Sequence, residues 1–153
     1  MKKVSEEEIP EARREPAGEN VITLDPASFE IPRGREFRIS VNIRSQQEMG
    51  SLSLNLGFNP QVVKLKDVLE GGFVRQLGEK IPFLKSMAEG SCVLGFSSPQ
   101  PGRGFRGGGN LAILVFEAAA PGETAIALTS ITANAPTGTV IHFTSRGSSV
   151  IVR

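Results

Sequence analysis

The sequence predicts an all-β domain built as a two-sheet sandwich, and three observations support this prediction. The 153 residues include 17 Gly and 10 Pro, which suit frequent turns between short strands. Several segments alternate apolar and polar residues with the two-residue period of a strand that buries one face. These segments number about nine or ten at spacings of roughly 8 to 12 residues, which is typical of a β-sandwich.

The domain is expected to begin after a charged N-terminal segment. Residues 1–20 carry four Lys or Arg and six Glu, are interrupted by proline and contain little to bury. We therefore expect residues 1–20 to be a flexible linker or tail and residues 21–153 to form one domain. Residues 6–8 are all Glu where the apolar part of a signal peptide would be needed, and no apolar run is long enough to span a membrane. If such a domain works outside the cytoplasm, we expect it to be part of a longer precursor.

The first half of the domain carries the clearest strand patterns. Residues 37–44 alternate apolar with polar side chains, and in residues 51–58 every second residue is Leu or Phe between Ser, Asn and Gly. Pro60 ends this strand because it has no amide hydrogen for the ladder, and it keeps Asn59 extended. Other strands in this half are expected over residues 21–25, 29–31 and 62–69.

The second half of the domain combines a hairpin, an irregular segment and a central strand. Residues 81–87 and 91–97 lie close enough in sequence to pair as a hairpin. Residues 98–110 are rich in Gly and Pro and are expected to form turns or an irregular loop. Residues 111–118 are apolar on both faces until Glu117, which indicates a central strand covered on both sides. Other strands are expected over residues 124–131, 140–143 and 150–152.

Composition and motifs argue against catalysis, cofactor binding and nucleic-acid binding. The formal net charge of +1 provides no field that would attract nucleic acid. With Cys92 as the only cysteine and His142 as the only histidine, the chain lacks the parts of a zinc site or a Cys-His nucleophile. Instead, Cys92 is expected in the core and His142 in a strand. The pattern Gly-x-Gly-x-x-Gly over residues 102–107 lacks the following helix that a dinucleotide site requires. We therefore expect no enzyme activity, no metal and no cofactor.

The aromatic composition bears on sugar binding. Polysaccharide-binding sandwiches generally offer exposed Trp or Tyr, and the sequence contains neither. Its nine Phe fall mostly at inward positions, with Phe73 and Phe105 expected to be the exposed ones. Polysaccharide binding is therefore disfavoured, and a carbohydrate-binding module is kept only as an alternative.

The order of short motifs resembles that of the cohesin family. The resemblance covers residues 21–153 and includes Leu-Asn-Leu-Gly-Phe-Asn-Pro over residues 54–60 and Gly-Asn-Leu-Ala-Ile-Leu-Val-Phe-Glu-Ala over residues 109–118. The other matching segments, in the same order as in the family, are residues 31–34, 37–43, 61–63, 71–73, 122–126 and 150–152. This resemblance implies a jelly-roll sandwich of about nine strands that acts as a non-catalytic recognition module. Such domains hold dockerins in cellulosomes, and similar domains are attached to bacterial secretins and other envelope proteins.

The resemblance also implies where a partner binds. The family binds through the outward face of one sheet, which includes the strand over residues 51–58. The matching positions in this sequence are Ser51, Ser53, Asn55, Val93 and Gly95. The implied partner is a dockerin-like domain or an envelope or secretion component, contacted in an extracytoplasmic or cell-surface assembly without direct membrane insertion. The alternative is a structural domain packed within a secretin or surface filament.

Overall fold

A computed structural model describes residues 20–75, 83–97 and 104–153 of the chain. The described residues form eleven strands and one helical turn, so the all-β prediction is confirmed. In chain order these elements are β1 (Val21–Asp25), β2 (Ser28–Ile31), β3 (Glu36–Met49), β4 (Ser51–Gly57), β5 (Val63–Glu70), α1 (Gly72–Arg75), β6 (Phe83–Ala88), β7 (Ser91–Ser97), β8 (Phe105–Ala118), β9 (Gly122–Asn134), β10 (Thr144–Arg146) and β11 (Ser148–Val152).

The strands form two sheets that face each other. The first sheet has the order β10-β1-β3-β8-β5, and the second has the order β2-β11-β9-β4-β7-β6. The pairs β1 with β10 and β11 with β2 are parallel, and the other pairs are antiparallel. The chain passes from the first sheet to the second five times, after β1, β3, β5, β8 and β10. The predicted two-sheet jelly-roll sandwich is therefore confirmed.

The core lies between the sheets, and each strand contributes the alternate residues that point inward. In β3, four apolar residues at every second position are less than a tenth exposed, and in β4 the three leucines are buried in the same way. These fully or nearly buried residues are Phe37, Ile39, Val41, Ile43, Leu52, Leu54 and Leu56. The two-residue period in the sequence thus marks which side of each strand faces the core.

The segment between β4 and β5 carries the chain from one sheet to the other. The backbone N–H of Asn59 donates to Oγ1 of Thr124 at 2.9 Å, and the Asn59 side-chain oxygen accepts from the backbone N–H of Gln61 at 2.9 Å. Val62 and Val63 both donate backbone hydrogen bonds to the Asn59 carbonyl. The corner predicted at Asn59-Pro60 is confirmed, and β5 begins at Val63.

Two predictions for the second half of the domain need correction, one of an irregular segment and one of a strand. Residues 105–110 belong to β8 and not to an irregular loop, because they pair with the C-terminal part of β3 despite three consecutive glycines. Residues 140–143 form no strand: Val140 makes a single bridge with Asn134, and the strand begins at Thr144. The total is eleven strands among the described residues, where about nine were expected.

The predicted environments of single residues are partly confirmed. Cys92 is buried in the core, as expected. Val115 lies on the outer side of β8 and is only 7% exposed, so the prediction of a strand covered on both sides is confirmed there. Phe73 was expected to be exposed, but it is buried, because its ring lies 6.3 Å from that of Phe96 in the core. His142 is exposed and lies outside the strands.

The described part of the chain begins with a buried residue. The side chain of Asn20 accepts from the backbone N–H of Gln46 at 2.7 Å and donates to Oε1 of Gln47 at 3.1 Å. Its backbone carbonyl accepts from the N–H of Thr144 at 3.0 Å. Asn20, the last residue of the tail predicted over residues 1–20, thus packs against the domain. The other residues of that tail, 1–19, lie outside the described residues.

Candidate functional site

The strands β4 and β7 are neighbours in the second sheet, and they bring all five predicted partner-binding residues together. Ser53 lies opposite Gly95 and Asn55 lies opposite Val93, while Ser51 lies one pair further along β4. Residues that are directly opposite in an antiparallel pair are on the same side of the sheet. The five residues therefore share one surface, and their role in binding a partner stays a prediction.

The two sides of β4 have different environments. Leu52, Leu54 and Leu56 point into the core and are at most 2% exposed, whereas Ser53 and Asn55 between them are exposed to solvent. The buried leucines fix the orientation of the strand, because a shift of one residue would turn all of them outward. The hydroxyl and amide groups are thus held on a rigid support.

Gly95 makes a flat position on the outward side of β7. A Cβ atom placed on Gly95 would lie 2.8 Å from the carbonyl oxygen of Leu52 in the adjacent strand β4. Real side chains do not come this close to a backbone oxygen, so the close approach of β4 and β7 requires glycine at this point. The outward surface therefore has no side chain between Ser53 on one side and Leu84 on the other.

The neighbouring strands extend this surface with residues that the sequence did not indicate. On β9, Thr132 lies opposite Ser53 and Ser130 lies opposite Asn55. On β6, Leu84 lies opposite Gly95 and Ser86 lies opposite Val93. Apart from the start of β9, where the exposed Glu123 lies, the surface consists of the outward residues of the four strands: Ser51, Ser53, Asn55 and Gly57 of β4, Ser91, Val93, Gly95 and Ser97 of β7, Leu84, Ser86 and Ala88 of β6, and Ala127, Thr129, Ser130, Thr132 and Asn134 of β9. We refer to this surface as the uncharged face.

None of the residues that define the uncharged face is ionisable. The nearest cation on β6, Lys85, points to the other side of the strand, where its Nζ donates to the carbonyl of Val68 at 2.7 Å and lies 3.5 Å from Oδ1 of Asp67. The polar groups of the face are hydroxyls and side-chain amides. They can donate and accept hydrogen bonds without the cost of burying a charge.

The uncharged face also carries apolar side chains that are open to solvent. Among the described residues, the exposed large hydrophobic side chains are Leu84 (65%), Val140 (60%), Met87 (46%) and Val93 (40%). Leu84 and Val93 belong to the face, and Val140 borders it because it lies opposite Asn134. Met87 is on the other side of β6, opposite Cys92. Leu84 and Val93 are diagonal neighbours on β6 and β7, so the face has two adjacent apolar side chains among its polar groups.

A groove of about 350 Å³ at the open edge between β5 and β6 is lined mainly by apolar residues, including Phe58, Leu65 and Met87. Burial raises the pKa of the Cys92 thiol to about 11, which makes it a poor nucleophile.

Within the described ranges, no three His, Cys, Asp or Glu residues are placed to hold a metal ion. No helix in the same ranges has the length and apolar character needed to cross a bilayer.

Comparison with known proteins shows a likeness of structure without close likeness of sequence. No protein-family model and no curated protein matches the chain. A non-cellulosomal cohesin from the hyperthermophilic archaeon Archaeoglobus fulgidus is 20% identical with a TM-score of 0.73, over 88% of this chain and 91% of that one. The third cohesin of ScaC from Acetivibrio cellulolyticus, solved in complex with the ScaB dockerin, is 13% identical with a TM-score of 0.72, over 87% and 98%.

A further similar structure comes from Clostridium thermocellum. It is a chain of the type I cohesin–dockerin complex of Coh-OlpC with Doc435, 11% identical with a TM-score of 0.74, and the match covers 94% of this chain and 99% of that one. At these identities the likeness concerns the fold. The domain therefore has a cohesin-like fold, as the order of sequence motifs implied.

Proposed function

We propose that this cohesin-like domain is a non-catalytic module that binds a protein partner of dockerin type through the uncharged face. In this proposal Ser51, Ser53, Asn55, Val93 and Gly95 contact the partner. The module works in an extracytoplasmic or cell-surface assembly, where the charged N-terminal segment before Asn20 tethers the domain to the rest of that assembly.

The observation that carries the proposal is the uncharged face itself, which is supported at β4 by leucines packed into the core. Because Leu52, Leu54 and Leu56 are buried beneath it, the face is preorganised and loses little conformational entropy when a partner binds. The cohesins of similar fold from A. cellulolyticus and C. thermocellum were solved in complexes with dockerins, which supports a dockerin-type partner.

Serine at positions 51 and 53 sets a condition on the partner. A serine hydroxyl extends one bond beyond Cβ, so its hydrogen bonds form only with groups that approach the sheet closely. Gly95 opposite Ser53 is buried and adds no side chain that would hold a partner away from that hydroxyl. We therefore expect a partner that lies flat on β4 and β7, with small side chains over this pair of strands.

A panel of dockerins tests the proposal by isothermal titration calorimetry. The panel includes the ScaB dockerin of A. cellulolyticus and Doc435 of C. thermocellum, and any dockerin that binds is then titrated with variants of the domain. S53R and N55R place a long charged side chain on the face and are expected to weaken binding at least tenfold. S28R is the matched control, because Ser28 is an exposed serine on β2 at the other edge of the sheet.

The same variants define the results that would contradict the proposal. Binding that survives S53R and N55R but is lost with S28R would place the partner elsewhere. If no dockerin binds, Ser53 is replaced by a photo-crosslinking amino acid and the domain is exposed to envelope extract. Failure to crosslink a protein, together with binding on a glycan array or with protease protection only inside a parent assembly, would favour a carbohydrate-binding or structural role instead.

A further inference from the structure

We infer that the acidic end of the N-terminal segment, residues 15–19, docks in a groove on the outer side of the first sheet, between Arg44 and Arg146. This arginine groove has a volume of about 360 Å³ and is lined by residues of β1, β3, β8 and β10. It is independent of the proposed binding surface, because the uncharged face belongs to the second sheet. Residues 1–14 then remain as the tether.

The strand register brings the two arginines to one side of the sheet. On β1, Val21 lies opposite Arg44 of β3. Two residues further along, Thr23 lies beside Arg146 of the parallel strand β10. Val21 and Thr23 point to the same side of the sheet, and the residues paired with them share that side. Two guanidinium groups therefore border the groove, and none of the described residues that line it is Asp or Glu.

The polar groups between the arginines suit a carboxylate. Asn42 lies opposite Thr23, and its Oδ1 accepts a hydrogen bond from Nδ2 of Asn110 at 3.1 Å. Because this oxygen already accepts a hydrogen bond, Asn42 offers mainly its N–H groups to a ligand, and the hydroxyl of Thr23 can also donate. A carboxylate in the groove thus meets neutral donors as well as the two positive charges.

The chain enters β1 directly beside the groove. The side chain of Asn20 accepts from the backbone N–H of Gln46 on β3 at 2.7 Å. Its backbone carbonyl accepts from the N–H of Thr144 on β10 at 3.0 Å. Arg44 and Arg146 are each two residues away from these contacts on the same two strands. The segment before Asn20 therefore leaves the domain between the strands that carry the two arginines.

The charge of this segment complements that of the groove. Residues 1–19 carry six Glu and four Lys or Arg, and the part next to the domain, residues 15–19, is Glu-Pro-Ala-Gly-Glu with no cation. Because the segment is covalently attached beside the groove, its effective concentration there is in the millimolar range that short linkers give. This high effective concentration offsets the weakness of single exposed ion pairs.

The sequence of residues 15–19 also lets both carboxylates reach the arginines. Arg44 and Arg146 are separated by two strand spacings and by two residues along the strands, so their Cα atoms are about 12 Å apart. Glu19 directly precedes Asn20 and lies within reach of Arg44. Pro and Gly at the second and fourth positions of Glu-Pro-Ala-Gly favour a type I turn, which would bring Glu15 back toward Arg146.

Backbone amide relaxation of the full chain, measured by NMR, tests this inference because it reports the ps–ns mobility of each amide. Docking is expected to give Glu15, Ala17 and Gly18 order parameters of about 0.8, close to those of rigid backbone, whereas a mobile segment would give values below about 0.6. Raising NaCl from about 50 mM to about 500 mM is expected to release the segment, since salt screens exposed ion pairs.

Matched substitutions locate the contact. R44Q/R146Q and E15Q/E19Q each remove one side of both ion pairs and are expected to lower these order parameters below about 0.6. R33Q/R38Q and E6Q/E7Q are the controls, because they remove the same charges elsewhere on the exposed surface and on the segment, and they are expected to leave the values unchanged. E15Q/E19Q changes residues that precede β1, so it keeps the test valid if R44Q/R146Q does not fold.

Order parameters below about 0.6 for Glu15, Ala17 and Gly18 in the parent at low salt would overturn the inference. Order that survives both R44Q/R146Q and E15Q/E19Q would also overturn it, because the segment would then be held elsewhere. The remaining outcome is that a separate acidic peptide, poly-Glu, shifts the amide signals of the groove while residues 15–19 stay mobile. This result would assign the groove to a partner and refute docking of the segment.

Discussion

Replacing Leu54 by Ala tests whether the inward side of β4 stabilises the domain. Leu54 is fully buried at the centre of its strand, opposite Leu94 on β7 and Ile131 on β9. Truncation removes its burial and leaves a cavity between two well-packed sheets, which costs about 3–5 kcal/mol in comparable cores. For a domain of this size we expect the melting temperature to fall by roughly 10–20 °C.

Urea denaturation followed by circular dichroism measures the change in the free energy of unfolding. The matched control is S53A, one residue earlier on the exposed side of the same strand, which is expected to stay within about 0.5 kcal/mol of the parent. Equal m-values for the two variants would show that the unfolded states are comparable. A loss below about 1.5 kcal/mol for L54A, or a similar loss for both variants, would refute the assignment of Leu54 to the core.

Three other predictions follow from single residues. G71A is expected to lower the free energy of unfolding by about 1–3 kcal/mol in urea denaturation, because a Cβ at this position would overlap oxygen atoms of Asn110 on β8. G72A is the control, since a Cβ on Gly72 meets no other atom. Equal effects of the two substitutions would contradict the predicted overlap at Gly71. Cys92 should react with a thiol reagent at about pH 8 only after unfolding, because burial raises its pKa to about 11, and fast labelling of the folded domain would show otherwise. The hydrogen bonds from Arg153 lower the pKa of Glu30, so this pair stabilises the domain fully above the ordinary pKa of 4.5 and ceases to do so as the pH falls through the lowered pKa. The melting temperature of E30Q should therefore fall less steeply than that of the parent over this acidic range. An unchanged pH profile would contradict the pairing.

The regular strands were predictable from the sequence because one of their faces is buried. In β3 and β4 the inward residues are consistently Phe, Ile, Val or Leu, so the period of two is visible without knowledge of the partner strand. Asn59-Pro60 likewise marks its own corner through the chemistry of proline. In these segments, local sequence and tertiary packing favour the same structure.

The start of β8 could not be predicted in this way. Gly107, Gly108 and Gly109 have no side chains to give a pattern, and their strand conformation depends on pairing with Arg44 and its neighbours on β3. The prediction for Phe73 failed for a related reason. Phe73 packs close to Gly109 of β8, where a Cβ would lie 3.4 Å from it, and this contact between distant residues leaves no pattern in the local sequence.

The candidate face was only partly predictable because it depends on strand order and on a bulge. Leu56 pairs with Leu128 while Asn55 pairs with Ser130, so Thr129 is an extra residue in β9. This bulge interrupts the alternation that would have identified the outward residues of β9. Leu84 was missed because β6 is an edge strand with both sides largely exposed, so its sequence has no clear apolar period.

Under the proposed function, the fold and the partner specificity of the second sheet depend on opposite sides of its strands and could vary independently. The inward leucines of β4 contribute to the core. Under the proposed function, changes of the outward serines would alter contacts with a partner at little cost to stability. A cohesin-like fold therefore carries limited information about which partner is bound. Under the proposed function, the hydroxyl and amide groups of the face would discriminate more between partners, because the surface of a partner has to match them.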